Sequence, residues 1–210
     1  MNTKQKQIWD KLAKMNSKYF INSDYGKNIT EDEFDKSGRR DWINLIWSDG
    51  LLTRRNGPFL EIGCGNGRIL EHVWLFSTTT IGTDISGEMI RQARERSPNK
   101  YFIETDGYTL PLADDSIGIV FSYLVFQHMR TKEMVESNFK EVFRILKKGG
   151  IFKVRIRTDE VRQDKWWSGV AYTKEDITKL VNKIGYNLLK TQEVEDYGLW
   201  VWVEKPLNLK

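Results

Sequence analysis

The chain has 210 residues, with 33 Lys and Arg against 29 Asp and Glu and a formal net charge of +4. This length is typical of one domain with a sizeable core, and the scattered charges lack the basic block of a nucleic-acid-binding arm. Cys64 is the only cysteine, which excludes an intrachain disulfide and a cysteine-based metal cage. The first residues are polar and the apolar runs are too short to cross a bilayer, so we expect a cytoplasmic protein without a membrane partner.

Residues 1–57 are expected to form a helical cap that belongs to the same domain as the rest of the chain. Ile8, Leu12 and Met15 share one helical face, and a second helix is predicted over 34–46. Such an amphipathic pattern fits a lid over a ligand site, and it equally fits helices that only pack on the edge of a sheet. The sequence leaves both interpretations open.

A short apolar strand at 58–62 leads directly into a glycine-rich loop. Gly63, Gly65 and Gly67 stand at alternate positions, where the missing Cβ allows positive φ values and close approach of a ligand. Helical spacing at 69–73 follows, so the segment predicts a strand, a loop and a helix that bind a nucleotide-like ligand. The spacing differs from the G-x-G-x-x-G of dinucleotide-binding loops, and the Lys-Ser/Thr pair of a phosphate loop is absent.

The second predicted strand, 78–84, ends in Asp84, which lies 21 positions beyond Gly63. In nucleotide-binding α/β units an acidic residue about 20 positions after the loop accepts hydrogen bonds from ribose hydroxyls. Asp84 is therefore a candidate ribose acceptor, although an ordinary strand-end cap is the alternative. A helix is predicted to follow, with Ser86 as its N-cap and Glu88 placed favourably near the positive end of the helix dipole.

The rest of the chain alternates between strands and helices. The remaining predicted strands lie at 100–106, 117–125, 151–157, 188–194 and 199–203. A helix over 131–147 is expected to stop at 147–150, because basic residues followed by glycine are typical of helix ends. Another helix begins at the N-cap Thr173 and ends at Gly185. This order predicts an α/β fold in which a mostly parallel sheet has helices on both faces and ends in an antiparallel hairpin.

Four segments resemble, in the right order, the motifs of S-adenosylmethionine (SAM) methyltransferases. They lie at 60–67, which has the form Glu-x-Gly-x-Gly-x-Gly, and at 82–86, 104–112 and 146–150. Together they resemble the Rossmann-like, class I group of small-molecule enzymes often called type 11. The resemblance implies a Rossmann-like sheet of seven strands, a SAM-binding core at 58–210 and binding of the product S-adenosylhomocysteine. One departure is the Ile117-Gly118 pair, where the family has an apolar residue followed by Asp.

The resemblance also implies roles for individual residues. The loop glycines would lie along the methionine part of SAM, Asp84 would hold both ribose hydroxyls, and Asp106 would accept from the adenine amino group. The complete set implied to bind the cofactor is Glu61, Gly63, Cys64, Gly65, Asn66, Gly67, Asp84, Ile85, Met89, Asp106, Gly107, Tyr108, Ser122 and Tyr123. The thiol of Cys64 is expected to be a small buried filler rather than a nucleophile.

Methyl transfer requires little chemistry from the protein, because the sulfonium methyl group is already activated and displacement depends on alignment and desolvation. A base is needed only when the acceptor is protonated. His128 is the candidate, since it follows the fourth strand and an unperturbed histidine titrates near neutrality. Its alternative is a histidine that only hydrogen-bonds the backbone. His72 is expected to be structural, and two histidines so far apart in sequence predict no metal site.

We expect a small organic methyl acceptor beneath an aromatic roof. The proposed roof residues are Trp9, Tyr19, Phe20, Tyr25, Trp166 and Trp167. Nucleic acid is disfavoured, because the charges are scattered and the Asn/Asp-Pro-Pro-aromatic tetrapeptide of amino-group nucleic-acid methylases is absent. Methylation of RNA or protein, and SAM binding without catalysis, stay open as alternatives. The acceptor atom, and the choice between monomer and homodimer, do not follow from the sequence.

Overall fold

The structure is a computed structural model that describes residues 3–53, 57–73, 79–158, 168–195 and 198–208. The chain divides into two compact units, Met1–Gly107 and Tyr108–Lys210. Within the described ranges no helix has the length and apolar character needed to cross a membrane. The residues Trp166 and Trp167, which were predicted to belong to the aromatic roof over the acceptor, lie outside the described residues.

Seven strands form one mixed sheet. In chain order they are β1 Phe59–Ile62, β2 Thr80–Asp84, β3 Tyr101–Glu104, β4 Ile117–Ser122, β5 Leu146–Arg157, β6 Asn187–Val194 and β7 Gly198–Glu204. Their order across the sheet is β3-β2-β1-β4-β5-β7-β6. The pairs β1–β2, β2–β3 and β4–β5 are parallel, whereas β7 runs antiparallel to both β5 and β6. The predicted seven-stranded α/β sheet with a C-terminal antiparallel hairpin is confirmed.

Five α-helices lie in the described parts of the chain. They are α1 Thr3–Ile21, α2 Glu31–Trp42, α3 Gly87–Arg96, α4 Lys132–Ile145 and α5 Lys174–Ile184. Hydroxyl side chains cap four of these helices by accepting a first-turn backbone N–H, and the capping residues are Thr30, Ser86, Thr131 and Thr173. The N-caps predicted at Ser86 and Thr173 are confirmed. A helix is also present in each predicted N-terminal region, and α2 continues into a π-helical turn at Ile43–Trp47.

The first unit buries all four residues of β1, as expected for a parallel strand that is covered on both faces. Among its fully buried side chains are Phe34 of α2 and Phe59 and Leu60 of β1. Glycine permits the closest packing in this unit, because a Cβ at Gly38 would overlap the backbone carbonyl oxygen of Arg68. Helix α2 therefore lies directly against the chain that follows the glycine loop.

The second unit packs aromatic rings on one face of β5. Phe139 and Phe152 lie edge to face with ring centroids 5.2 Å apart, and Phe126 lies 5.7 Å from Phe139. On the neighbouring strand β7, Trp200 and Trp202 flank the buried ammonium of Lys153, which lies 4.8 Å from each ring centroid. Desolvated cation–π contacts stabilise such a buried lysine by about 2 kcal/mol.

One predicted helix end is wrong. Helix α4 ends at Ile145, and the basic and glycine residues at 147–150 belong to β5. Leu146 leaves the helix with an extended backbone and pairs with Ile117. Gly149 then adopts a φ of +75° and donates its N–H to the carbonyl of Lys205. Strand pairing thus overrides a local pattern that imitates a helix end.

Two further boundaries also differ from the prediction. Strand β4 ends at Ser122 rather than Val125, because Leu124 has a φ of +61°, a left-handed conformation that cannot continue a strand. Where a helix was expected after the glycine loop, the described residues show a 3₁₀ turn at Leu70–His72. The adjoining residues 74–78 lie outside the described ranges.

Candidate cofactor site

The glycine loop of the first unit joins the end of β1 to the end of β2. Gly63, Gly65 and Gly67 have φ values of +71°, +54° and +84°, all in the left-handed region that favours glycine. The N–H groups of Gly63 and Cys64 both donate to the carbonyl of Thr83, at 2.7 and 2.9 Å. These bonds hold the loop against β2. The alternating glycines are therefore required by the backbone geometry of this turn.

Asp84 is the acidic group to which this loop is tied. One carboxylate oxygen accepts the N–H of Gly65 at 3.0 Å, and the other accepts the N–H of Ser86 at 2.8 Å. Burial raises the pKa of Asp84 to about 6, although these backbone donors act to lower it. The carboxylate is therefore ionised at neutral pH, in the form that accepts hydrogen bonds. The backbone N–H of Ile85 also acts on this carboxylate, which has about four lone-pair sites and so keeps capacity for a further donor.

Glu61 lies one strand away, in the middle of β1, and is 4% exposed. Its Oε2 atom is buried without a hydrogen-bond partner among the described residues. Burial raises the pKa of Glu61 to about 8, against the attraction of Arg68, and the charge of Asp84 adds to the rise. Glu61 is therefore predominantly protonated at neutral pH. The first unit thus holds a buried, protonated Glu61 and a half-buried, ionised Asp84.

Other residues predicted to bind the cofactor stand near these groups in the first unit. Met89 on α3 is 2% exposed, and its N–H donates to the capping hydroxyl of Ser86. Ile85 is half-buried and follows Asp84 directly. Asp106 and Gly107 follow β3, where Gly107 has a φ of +81°. Thr105, just before them, donates its N–H to the Asp84 carbonyl at 2.9 Å, so this turn is tied to the end of β2.

Cys64 and Asn66 occupy the two positions between the loop glycines. The Cys64 thiol is buried and faces Gly82 of β2, where an added Cβ would lie 2.7 Å from the sulfur. Burial raises the pKa of this thiol well above its usual range, so it is not a thiolate nucleophile. The Asn66 amide donates to the hydroxyl of Ser17 on α1 at 3.4 Å. Both side chains therefore support the loop.

Helix α1 lies over this part of the first unit. Lys6 forms an ion pair with Glu104 of β3 and lies 3.4 Å from the carbonyl of Ile85. Asp10 accepts hydrogen bonds from the Ser86 hydroxyl at 2.7 Å and from a first-turn N–H of α3 at 3.1 Å. At the other end of α1, the Ile21 side chain would lie 2.9 Å from a Cβ at Gly65. The helix therefore contacts both the glycine loop and the residues after Asp84.

Sequence reasoning did not identify the polar residues that fix these helices. Arg68 is 4% exposed, pairs with Asp41 of α2 at 2.7 Å and donates to the Ser37 hydroxyl at 3.1 Å. Lys6 and Asp10, which also form an ion pair at 3.6 Å, are four residues apart on α1. This i,i+4 spacing is typical of exposed helix pairs. Nothing in their pattern could have shown that they reach β3 and α3.

In the second unit, the predicted site residues cluster after β4. Ser122 is fully buried. The ring of Tyr123 stacks on Trp200 with centroids 5.6 Å apart, and the guanidinium of Arg155 lies 5.8 Å from the Tyr123 centroid. Leu124, with its positive φ, follows at once, and strained backbone of this kind concentrates at functional sites. Tyr108 begins the unit, and its carbonyl accepts the hydroxyl of Ser137 at 3.0 Å.

His128 ends the 3₁₀ turn that follows this strained residue. Its Nε2 atom lies 3.2 Å from the side-chain amide nitrogen of Gln127. The segment after the undescribed connection packs on the same turn, because Gly169 donates to the Gln127 carbonyl at 2.6 Å and Val170 donates to the Met129 carbonyl at 2.8 Å. His128 is therefore held in a turn that is tied to residues 168–172.

The fold and the glycine loop define a class of protein. A parallel α/β unit with a glycine turn after its first strand and an acidic residue after its second is a nucleotide-binding, Rossmann-like unit. Residues 60–154 match the family model described as a methyltransferase domain. The family resemblance predicted from the four motifs is confirmed.

Individual methyltransferases are also similar to this chain. An uncharacterized methyltransferase of Alkaliphilus oremlandii is 27% identical over 150 residues, which are 71% of this chain and 64% of that protein. A tRNA (carboxymethyluridine(34)-5-O)-methyltransferase of Saccharomyces cerevisiae is 30% identical over 104 residues, 48% of this chain and 36% of that protein. The chain thus spans less than two thirds of the length of both relatives.

A solved structure shares the fold. The SAM-dependent methyltransferase of Thermotoga maritima, described as a possible histamine N-methyltransferase, has a TM-score of 0.66 to this chain. The match covers 95% of this chain and 99% of that one, at 18% sequence identity. At this level of identity the likeness concerns the fold alone.

Proposed function

We propose that the protein is a SAM-dependent methyltransferase that transfers a methyl group to a small organic acceptor by in-line displacement. The observation that carries the proposal is the junction of the glycine loop with Asp84. Backbone N–H groups from both sides of the carboxylate hold it in place at 2.8 and 3.0 Å. In nucleotide-binding α/β units, an anionic acceptor at this position binds the ribose hydroxyls, and the glycine loop allows the rest of the ligand to approach the backbone closely.

The residues of the first unit fit SAM. The backbone donors of Gly65, Ser86 and Ile85 occupy only part of the Asp84 carboxylate, so acceptor capacity remains for the ribose. Gly63, Gly65 and Gly67 leave the loop backbone free of Cβ atoms where the methionine part would lie. Asp106 would accept from the adenine amino group. SAM, when bound, supplies a methyl group activated by its sulfonium.

Helix α1 would act as a lid on this site. Its contacts through Lys6, Asp10 and Ile21 cover the residues after Asp84 and the glycine loop. The helix is interrupted at Asn16, where the backbone has a φ of −169° and a ψ of 82°. A local break of this kind lets the segment before it move while the segment after it keeps its contact with the loop. Closure of such a lid excludes water, which protects a reactive cofactor.

The proposed roles in the second unit rest on the family resemblance. This resemblance implies that Tyr108, Ser122 and Tyr123 bind the cofactor. His128 would act as the general base when the acceptor carries a proton. The turn that holds His128 is fixed by residues 169 and 170, which favours a constant position for the imidazole. The pH dependence of methyl transfer tests the base, since a rate that rises through the pKa of His128 must disappear in a His128→Gln variant.

The small-molecule acceptor is supported by the charge distribution. The net charge is only +4 and the basic residues are interspersed with acidic ones, whereas a polymer-binding surface needs a concentrated basic patch. The yeast relative, which is named for tRNA, makes RNA methylation the second candidate function.

Methyl transfer from radiolabelled SAM distinguishes these functions. The purified protein is incubated with a panel of small amines, phenols, thiols and carboxylic acids, and separately with bulk tRNA. Label in one class of small acceptor, unaffected by a change from low to moderate salt, supports the proposal. Label in tRNA alone, with the steep salt dependence of phosphate contacts, supports the second candidate and overturns the first.

A further inference from the structure

Three metal-ligating side chains, none of them assigned to the candidate cofactor site, come together in the first unit. Asp35 belongs to α2, while Glu71 and His72 belong to the 3₁₀ turn after the glycine loop. One ligand atom from each of the three lies within 4.8 Å of the others. The sequence could not reveal this cluster, because 36 positions separate Asp35 from Glu71.

One ring nitrogen of His72 lacks a hydrogen-bond partner among the described residues. This atom, Nε2, is buried. The nearest charged oxygen is Asp35 Oδ1, at 3.5 Å. This separation is too long for a good hydrogen bond. It matches the spacing of about 3.4 Å between two ligand atoms that each lie about 2.1 Å from a tetrahedral Zn²⁺.

The three side chains differ in exposure in a way that suits a site open on one side. The His72 side chain is 13% exposed, and those of Glu71 and Asp35 are 32% and 46% exposed. The imidazole thus lies on the inner side of the cluster, and the two carboxylates lie on its more exposed side.

Two arginines compete with a cation for these carboxylates. Arg96 pairs with Glu71 at 3.2 Å and also with Glu31. The charge of Arg39, one turn after Asp35 on the exposed side of α2, also acts on His72. Neither arginine reaches the buried Nε2 atom of His72, which stays without a hydrogen bond among the described residues. The cluster therefore combines one imidazole nitrogen that has no hydrogen bond among the described residues with two carboxylates, of which Glu71 is already paired with Arg96.

We propose that Asp35, Glu71 and His72 bind one divalent transition-metal ion, such as Zn²⁺, with water completing the coordination. An imidazole with two carboxylates suits Zn²⁺, Co²⁺ and Ni²⁺ better than Mg²⁺ or Ca²⁺, which prefer oxygen ligands. The bound ion joins α2 to the turn that follows the glycine loop. Occupancy therefore stabilises the first unit without taking part in methyl transfer.

Titration of the untagged, metal-free protein with Zn²⁺ tests this site by calorimetry and by thermal melting. We expect one equivalent to bind and the Tm to rise, while Mg²⁺ at the same concentration has no effect. His72→Gln should weaken Zn²⁺ binding by at least about tenfold, since loss even of a supporting residue costs that much. Asp35→Asn should weaken it in the same direction. Arg39→Gln should strengthen binding by removing a repulsive charge.

The chain offers matched controls for both ligand types. His128→Gln changes the only other histidine, and Asp32→Asn changes an exposed carboxylate on the same helix that pairs with Lys36. Neither change should alter the Zn²⁺ affinity. Binding that survives His72→Gln, or that is lost equally in His128→Gln, would overturn the site. An absence of Zn²⁺ binding in the unsubstituted protein would overturn it as well. Because no readout depends on methyl transfer, the result is independent of the proposed activity.

Discussion

At the scale of single residues, Glu61 in the glycine-loop motif makes the folding stability of the protein depend on pH. The carboxyl group is buried in β1 and its pKa is raised from 4.5 to about 8 by burial. The folded chain therefore binds one more proton than the unfolded chain between these two pH values. Stability falls wherever the folded state holds the extra proton and the pH rises. The contribution of Glu61 is thus most favourable below pH 4.5 and is lost progressively as the pH rises towards 8.

The variant Glu61→Gln should remove this pH dependence. The amide is neutral at every pH, so the variant should gain stability relative to the unsubstituted chain as the pH rises from 5 to 8. Thermal melting across this range gives the difference directly. Glu175→Gln, at an exposed position in the first turn of α5, is the control and should show no such trend. A Tm difference for Glu61→Gln that does not change with pH would show that the buried carboxyl is not responsible.

At the scale of elements, the contact between α2 and the end of the glycine loop depends on Gly38. A Cβ at this position would overlap the Arg68 carbonyl oxygen, which is backbone and cannot rotate away. Gly38→Ala should therefore destabilise the protein by about 1–3 kcal/mol, the usual cost of overpacking. Denaturant unfolding measures the change.

Gly50 supplies the matched control for this substitution. A Cβ there meets nothing within 4 Å, and its φ is not positive. Gly50→Ala should be neutral or stabilise by up to about 1 kcal/mol, because it restricts the unfolded chain. Equal effects at the two glycines would mean that α2 does not pack on Arg68 as described.

The lid proposed for α1 gives a kinetic prediction. Lys6→Met with Asp10→Ala removes the polar contacts of the helix with β3 and α3. We expect faster hydrogen exchange in α1 and a faster association rate for SAM, measured by stopped flow. Lys4→Met, at an exposed position on the same helix, is the control and should leave both rates unchanged. An unaltered association rate in the double variant, with faster exchange in α1, would show that the helix does not limit access.

The elements themselves were largely readable from the sequence, while several boundaries were not. The alternation of apolar strands with capped helices predicted the succession of strands and helices along the chain. Ser86 and Thr173 marked the starts of two helices correctly. The end of α4 was misread because the basic and glycine residues at 147–150 look locally like a helix terminus. Pairing with β4 and the Gly149–Lys205 hydrogen bond decide the outcome. Those contacts are distant in sequence, so no local pattern contains them.

At the scale of the whole molecule, motif spacing predicted the nature of the candidate site better than its surroundings. Gly65 and Asp84 were expected to act together, and the structure joins them by a hydrogen bond. The contacts of Lys6 and Asp10 and the buried Arg68–Asp41 pair were not foreseen. Each joins segments that are far apart in the chain, and charged residues on amphipathic helices ordinarily face solvent. The aromatic roof over the acceptor remains a prediction, since part of it lies outside the described residues.

The most direct test of the central claim is calorimetric titration with SAM and with NAD. We expect one equivalent of SAM to bind and NAD to give no signal. Asp84→Asn should weaken SAM binding by about ten- to a hundredfold, because hydrogen bonds to a charged acceptor contribute about 1.5–3 kcal/mol. Asp24→Asn, at an exposed position in the same unit, should leave the affinity unchanged. Tight NAD binding without SAM binding, or an unchanged SAM affinity in folded Asp84→Asn, would contradict the account.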